Sequence, residues 1–275
     1  DIVDKIRSCM MKAWRTNNPT LRSERSTEEK NTYYLSWKMG LAAISAEAED
    51  RDWVKKLTSD EVILALHYAP LEMSGFPFWL KDLIKQDSTK VEEILGHELE
   101  SELDETADSH FHSGLLQDIC NANSDIYRVF MPRLKEWFSK SHSRIRISEN
   151  EDRVIDRLNR VVGLLLKNTD TAFESEIKSI TSSNIDESNS LAFSRFWLGI
   201  LMILDPQDAT SKLENILKTI PPSKESEGVR LFAYLFDRFH SYGVAIDLSD
   251  NRFPPRLLLR LLQLAYKHVM PKEDN

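Results

Sequence analysis

The 275-residue sequence predicts an all-α fold, a superhelix of stacked hairpins with about a dozen helices, and three observations carry that prediction. Apolar residues recur three and four positions apart along most of the chain, as they do on one face of a helix. Eight glycines and ten prolines are too few for the many tight turns of an all-β protein. Helix-start signals, finally, come in pairs at a nearly regular spacing along the second half of the chain.

The clearest pair lies between Glu187 and Pro222. Leu191, Ala192, Phe193, Phe196, Trp197, Leu198, Ile200, Leu201, Met202, Ile203 and Leu204 make a helix apolar on nearly every side, so it needs neighbours on both flanks and is expected to be central. Asp205 then offers an N-cap carboxylate, Pro206 occupies the first helical position, where its missing N–H costs nothing, and Asp208 places charge in the positive first turn. Leu213, Ile216, Leu217 and Ile220 continue on one face, and Pro221 with Pro222 stops the second helix.

From the start of the chain, a first amphipathic helix over Ile2 to Trp14 ends at Asn17, Asn18 and Pro19. Leu21 to Ser26 reads as a polar linker. Thr27, followed by Glu28 and Glu29, predicts a long helix with Tyr34, Trp37, Leu41, Ile44 and Ala48 on its face, extending as far as Leu57. Thr58 and Glu61 have capping-box spacing before Val62, Ile63, Leu66, Ala69 and Met73, and Pro70 is expected to kink or shorten that helix. Ser74 and Gly75 break the chain. A short helix follows through Phe76, Leu80, Leu83 and Ile84, and Ser88 precedes another carrying Val91, Leu95, Leu99 and Leu103, whose acids, including Glu98 and Glu102, are read as its wet face. Hairpins then begin near Ser109, Asn150, Asn189 and Glu225, in steps of about 41, 39 and 36 residues, the range of HEAT-like repeats. Their partner helices start near Ser124, Thr169 and Asp205, and a last helix runs from Arg256 to Val269. Arg144 to Ile147 and Val244 to Leu248 alternate in polarity but are short enough to read as connections. In domain terms, residues 1–57 form an N-terminal helical segment continuous with the hairpins of 58–275.

Net charge is −8, unevenly spread: residues 58–123 hold 14 acidic against 3 basic side chains, a net of −11. Such a surface repels phosphate backbones, which disfavours nucleic acid as a partner. Cys9 and Cys120 match no disulfide or metal spacing; each is expected to be a small buried apolar residue in a reducing, cytoplasmic setting. No apolar run reaches the roughly 20 residues that span a bilayer, so no membrane partner is expected. The chain starts without Met, directly on an amphipathic pattern, and reads as a piece of a longer polypeptide.

Catalytic signatures fail individually. Gly163 to Asn168 has the wrong glycine-to-lysine spacing for a phosphate loop and lies inside a helical pattern. His97 and Glu98 begin a zinc-protease motif, but Ser101 stands where the second histidine is required. His110 and His112 are the best metal candidates, but they lack a clear third ligand, so no cofactor is expected. Arg153, Arg157 and Arg160 share one helix face downstream of Arg144 and Arg146, a basic stripe able to grip an acidic surface, although Asp156 can pair with Arg160 one turn away. At the acidic region's corner, Phe76, Phe78 and Trp79 cannot all hide on one face of a one-turn segment; Trp79 is expected buried and Phe78 exposed to a protein partner.

The corner segment Tyr68 to Trp79 and the helix Leu257 to Val269 resemble the helical-repeat region of large bacterial STAND (NACHT-like) NTPases of antiviral defence. These two stretches cover about a tenth of the chain and the rest is similar in pattern only. The resemblance implies a non-catalytic segment that senses a protein target or mediates assembly with neighbouring domains of the same polypeptide, the nucleotide site lying in a separate module. A freestanding helical adaptor is the alternative reading, and a metal-dependent hydrolase using His110 and His112 comes third.

Overall fold

A computed structural model describes residues 1–105, 114–141, 151–168, 170–187, 190–220, 225–236 and 246–269. The described residues form thirteen α-helices and three short 3-10 turns, with no strand among them. Contacts group the chain into two compact units, Asp1–Arg144 and Ile145–Asn275.

The first unit begins with α1 (Ile2–Ala13), which runs into a 3-10 turn at Trp14–Thr16; a second such turn follows at Arg22–Glu24. Next come α2 (Leu35–Glu47), α3 (Trp53–Lys56) and α4 (Ser59–Tyr68). The expected helix start at Thr27 is wrong by eight residues. Arg25 explains why: its guanidinium donates to the carbonyls of Thr20, Lys30 and Thr32 and lies over the Trp37 ring, holding residues 26–32 in turns. The helical pattern also breaks after Ala48, so Trp53–Lys56 is a separate helix rather than its continuation. By contrast, Thr58 and Glu61 form the reciprocal capping box that opens α4.

Helix α5 (Leu80–Asp104) is two helices joined at Asp87, whose φ of −152° and ψ of 76° are non-helical and whose carboxylate caps the second part by accepting the Lys90 N–H at 3.0 Å. The break falls one residue before the expected Ser88. α6 (Gly114–Asn121) and α7 (Ser124–Ser141) complete the unit. In sequence of packing, α1 lies on α2, α2 on α4, α4 on α5, and α5 on both α6 and α7.

Glu98 and Glu102 correct the wet-face reading of α5: they are 6% and 7% exposed. Glu98 accepts the backbone N–H groups of Arg22 and Ser23 at 3.1 and 3.0 Å, and Glu102 those of Leu115 and Leu116 at 2.9 and 3.1 Å. Each thus acts as an N-cap supplied from another element, satisfying donors that the first turn of a helix leaves free. Cys9 is a second correction, since it is exposed, while Cys120 is half-buried.

The second unit contains α8 (Glu151–Leu166), α9 (Thr171–Glu187), α10 (Leu191–Leu204), α11 (Pro206–Thr219), α12 (Glu225–Phe236) and α13 (Pro255–Val269). The expected starts at Ser109, Asn150, Asn189 and Thr169 lie outside the described residues, as do Arg144 to Ile147, Val244 with Ala245, and the Pro221–Pro222 stop; residues 246–248 are connecting chain. α10 is central, packing against α8, α9, α11 and α12, while α13 lies on α11 and α12. A single residue, Asp205, joins α10 to α11; its carboxylate accepts the Asp208 N–H at 3.0 Å and an ion pair from Lys178 at 2.6 Å. Burial works against that charge, but Lys178 and the Asp208 N–H outweigh it and hold the Asp205 carboxyl below its usual range. No described helix is long and apolar enough to cross a membrane.

Two stability outcomes follow from this packing. Leu201→Ala, at a fully buried position of α10, is expected to lower stability by about 2–5 kcal/mol, read as a lower urea midpoint. Glu102→Gln, whose amide oxygen can accept only one of the two backbone N–H groups while its NH2 faces the other, is expected to cost about 1–3 kcal/mol, whereas exposed Glu93→Gln leaves the midpoint unchanged.

Candidate functional site

The corner between α4 and α5 is built on Tyr68, the last residue of α4. Its phenol is wholly buried and donates to the carbonyls of Trp14 at 3.1 Å and Asn17 at 3.3 Å; burial pushes its pKa up to about 12. Pro70 converts the end of the helix into a 3-10 turn over Ala69–Leu71, after which Glu72 is extended. Gly75 then takes a φ of 105°, the left-handed region in which a side chain is strained although the space around it is open.

Three aromatic residues leave this turn in different directions. Phe76 is half-buried and stacks on Phe130 of α7, with centroids 6.4 Å apart and planes 8° from parallel. Trp79 is 0% exposed and meets Trp53 edge-on at 5.8 Å. Phe78, between the buried Pro77 and Trp79, is 53% exposed, and Met73 on the near side of the turn is 82% exposed. The expected division of the corner into a buried Trp79 and an exposed Phe78 is therefore what the structure contains. Met73 is a correction: expected on the apolar face of α4, it lies beyond the end of that helix and faces solvent.

An acidic pair adjoins the corner. Asp118 of α6 is half-buried, and burial, helped by the charge of Glu72, pushes its pKa up to about 6 from the ordinary 3.8. Among the described residues Asp118 has neither a hydrogen bond nor an ion pair, whereas Glu72 accepts the Met73 N–H at 3.0 Å. Nothing in its sequence neighbourhood marks Asp118; burial in the folded unit, with the charge of Glu72 added, makes it unusual.

The other candidates are placed as follows. Arg153 is exposed on α8, and Arg157 and Arg160 are half-buried; Arg160 pairs with Asp156 at 2.9 Å, and all three are engaged within the molecule. His97 is exposed on α5, while His110 and His112 lie outside the described residues, among which no group of three or more metal-binding side chains occurs. A cavity of about 40 Å³ lies beside the buried Glu98 and Glu102, bordered by Arg22, Arg25, Tyr33 and His67, and has room for little more than water.

The raised Asp118 pKa sets a pH-dependent outcome. As pH rises from about 4 to about 6 the unfolded chain gives up this proton before the folded one does, so stability falls across that window and the deficit is complete above it. Asp118→Asn is expected to raise stability at pH 7 by about 1 kcal/mol, after screening of a half-buried charge, and to have no such effect below about pH 4. Urea titrations at the two pH values check both halves.

No protein-family model matches the chain, and comparison with curated proteins and with solved structures finds no match either.

Proposed function

We propose that this chain is a non-catalytic recognition and scaffold segment of a larger cytosolic STAND-type NTPase, stacked in HEAT-like hairpins and engaging a protein target through the Met73–Trp79 corner. The corner carries the reading. An aromatic side chain held in water beside a wholly buried tryptophan is poor anatomy for a connection and good anatomy for a binding hot spot. The hairpin reading draws on the second unit, where α10 and α11 are joined by one residue and each helix from α8 to α13 packs on its neighbours in the chain or on those one further along. Such arrays offer extended surfaces whose common use is to hold another protein.

The test is recovery of the target by the intact parent chain, followed by affinity measurement with Phe78→Ala. Because Phe78 is exposed, the variant is expected to keep its thermal midpoint and to bind about tenfold or more weakly. Undiminished binding by a folded Phe78→Ala chain would remove the corner from the recognition surface.

A further inference from the structure

We infer that the outer face of α13 docks an amphipathic helix of a partner protein, one that carries acidic residues beside its apolar row. The inference concerns the second unit alone and is independent of the reading of the corner.

α13 carries two apolar rows. Leu257, Leu261 and Leu264 are buried on the side that packs on α11 and α12. Leu259, Leu262 and Tyr266 stand on the opposite side and are 55%, 66% and 72% exposed. Their spacing of three and then four positions lines them up along the helix axis, and it is the spacing with which one helix presents a seam to another. A surface helix normally turns polar residues away from its buried face, so this second row is apolar surface that the fold itself leaves unused.

The charges beside the row decide what covers it. Arg256, Gln263 and Lys267 border it on one side, and the half-buried Leu258 and Ala265 on the other. No acidic residue occurs between Pro255 and Val269, and the remaining arginine of the helix, Arg260, is held by Glu214 at 2.6 Å. Arg256 and Lys267, both exposed, form no ion pair among the described residues. Arg256 also stands in the first turn, where the positive end of the helix makes a cation unfavourable, and a partner's carboxylate offsets both. Two copies of α13 laid together would set cation against cation with no acid to answer them, which disfavours self-association through this face. A bilayer takes up a broad apolar face, whereas here the opposite face is already inside the protein and the exposed row is one residue wide.

The probe is a fluorescein-labelled peptide of about three heptads with Leu at the a and d positions and Glu at e and g, titrated by anisotropy against the full chain. Two matched peptides are controls, one with Lys for Glu and one with Ser for Leu. Saturable binding of the Glu/Leu peptide is expected. It should weaken about tenfold in Leu259→Ala, in Leu262→Ala and in the double variant Arg256→Glu with Lys267→Glu, each with an unchanged thermal midpoint because these residues are exposed. The charge-reversed variant should in turn take up the Lys/Leu peptide. Leu248→Ala, which removes an exposed leucine outside α13, should leave binding unchanged. No saturable binding, or binding indifferent to Leu259→Ala and Leu262→Ala, would overturn the site, and equal binding of the Lys/Leu peptide by the unaltered chain would overturn the acidic partner. A dimer in sedimentation, or retention on phosphatidylserine vesicles, that Leu262→Ala abolishes would give the face to a second copy or to a bilayer and overturn the inference in that way.

Discussion

The first unit depends on two carboxylates that cap elements other than their own. Glu98 and Glu102 stand one turn apart on α5, and between them they hold four backbone N–H groups, two in the 3-10 turn at Arg22–Glu24 and two at the start of α6. Burying a carboxylate is unfavourable by several kcal/mol unless its lone pairs are satisfied, and backbone donors at a helix start satisfy them with charge-assisted bonds and a favourable partial charge. The N-terminal segment is therefore attached to α5 through polar contacts, and α6 sits where Glu102 places it.

This arrangement changes the meaning of the acidic stretch. A net of −11 over residues 58–123 suggests a solvated, repulsive surface. In the folded chain much of it is internal bonding: Arg133 of α7 bridges Glu92 and Glu100, Glu105 gathers Arg22 and Lys30, and Glu61 caps α4 while holding Arg15. The Arg15 guanidinium also reaches Glu47, whose carboxylate accepts the Trp14 indole N–H at 2.7 Å, so α1, α2 and α4 share one polar junction. Exposed pairs of this kind contribute little to stability, but partly buried ones that share donors fix which helix meets which.

What could be read in advance was whatever depends on neighbours in the chain. The capping box at Thr58 and Glu61, the Asp205–Pro206 start of α11 and the break at Gly75 are all local, set by backbone donors or φ preferences within a few residues. The start of α2 was not, because it is displaced by Arg25 reaching the Lys30 and Thr32 carbonyls and the Trp37 ring. Glu98 and Glu102 were half-legible. Each stands three residues after a stripe leucine, Leu95 and Leu99, and so shares the apolar face of α5. Polarity argued for solvent, and only the position of the distant donors shows that a buried carboxylate is the stable choice. Asp118 had no local sign, since its environment is made by burial in the folded unit and, secondarily, by the charge of Glu72, far from it in the chain.

The corner combines rigidity with exposure. Tyr68 is pinned by two backbone carbonyls, Phe76 is stacked on Phe130, and Trp79 is enclosed against Trp53, so the backbone that carries Phe78 is held from both sides. A ring presented from a fixed backbone loses little further freedom on being covered, and the ordering cost that weakens most surface contacts is correspondingly small. Asp118 works in the opposite sense, since its half-buried and unpaired charge makes the free protein less stable than an asparagine in its place would. Phe78, exposed on a backbone already held for contact, fits a surface completed by a partner rather than by the fold.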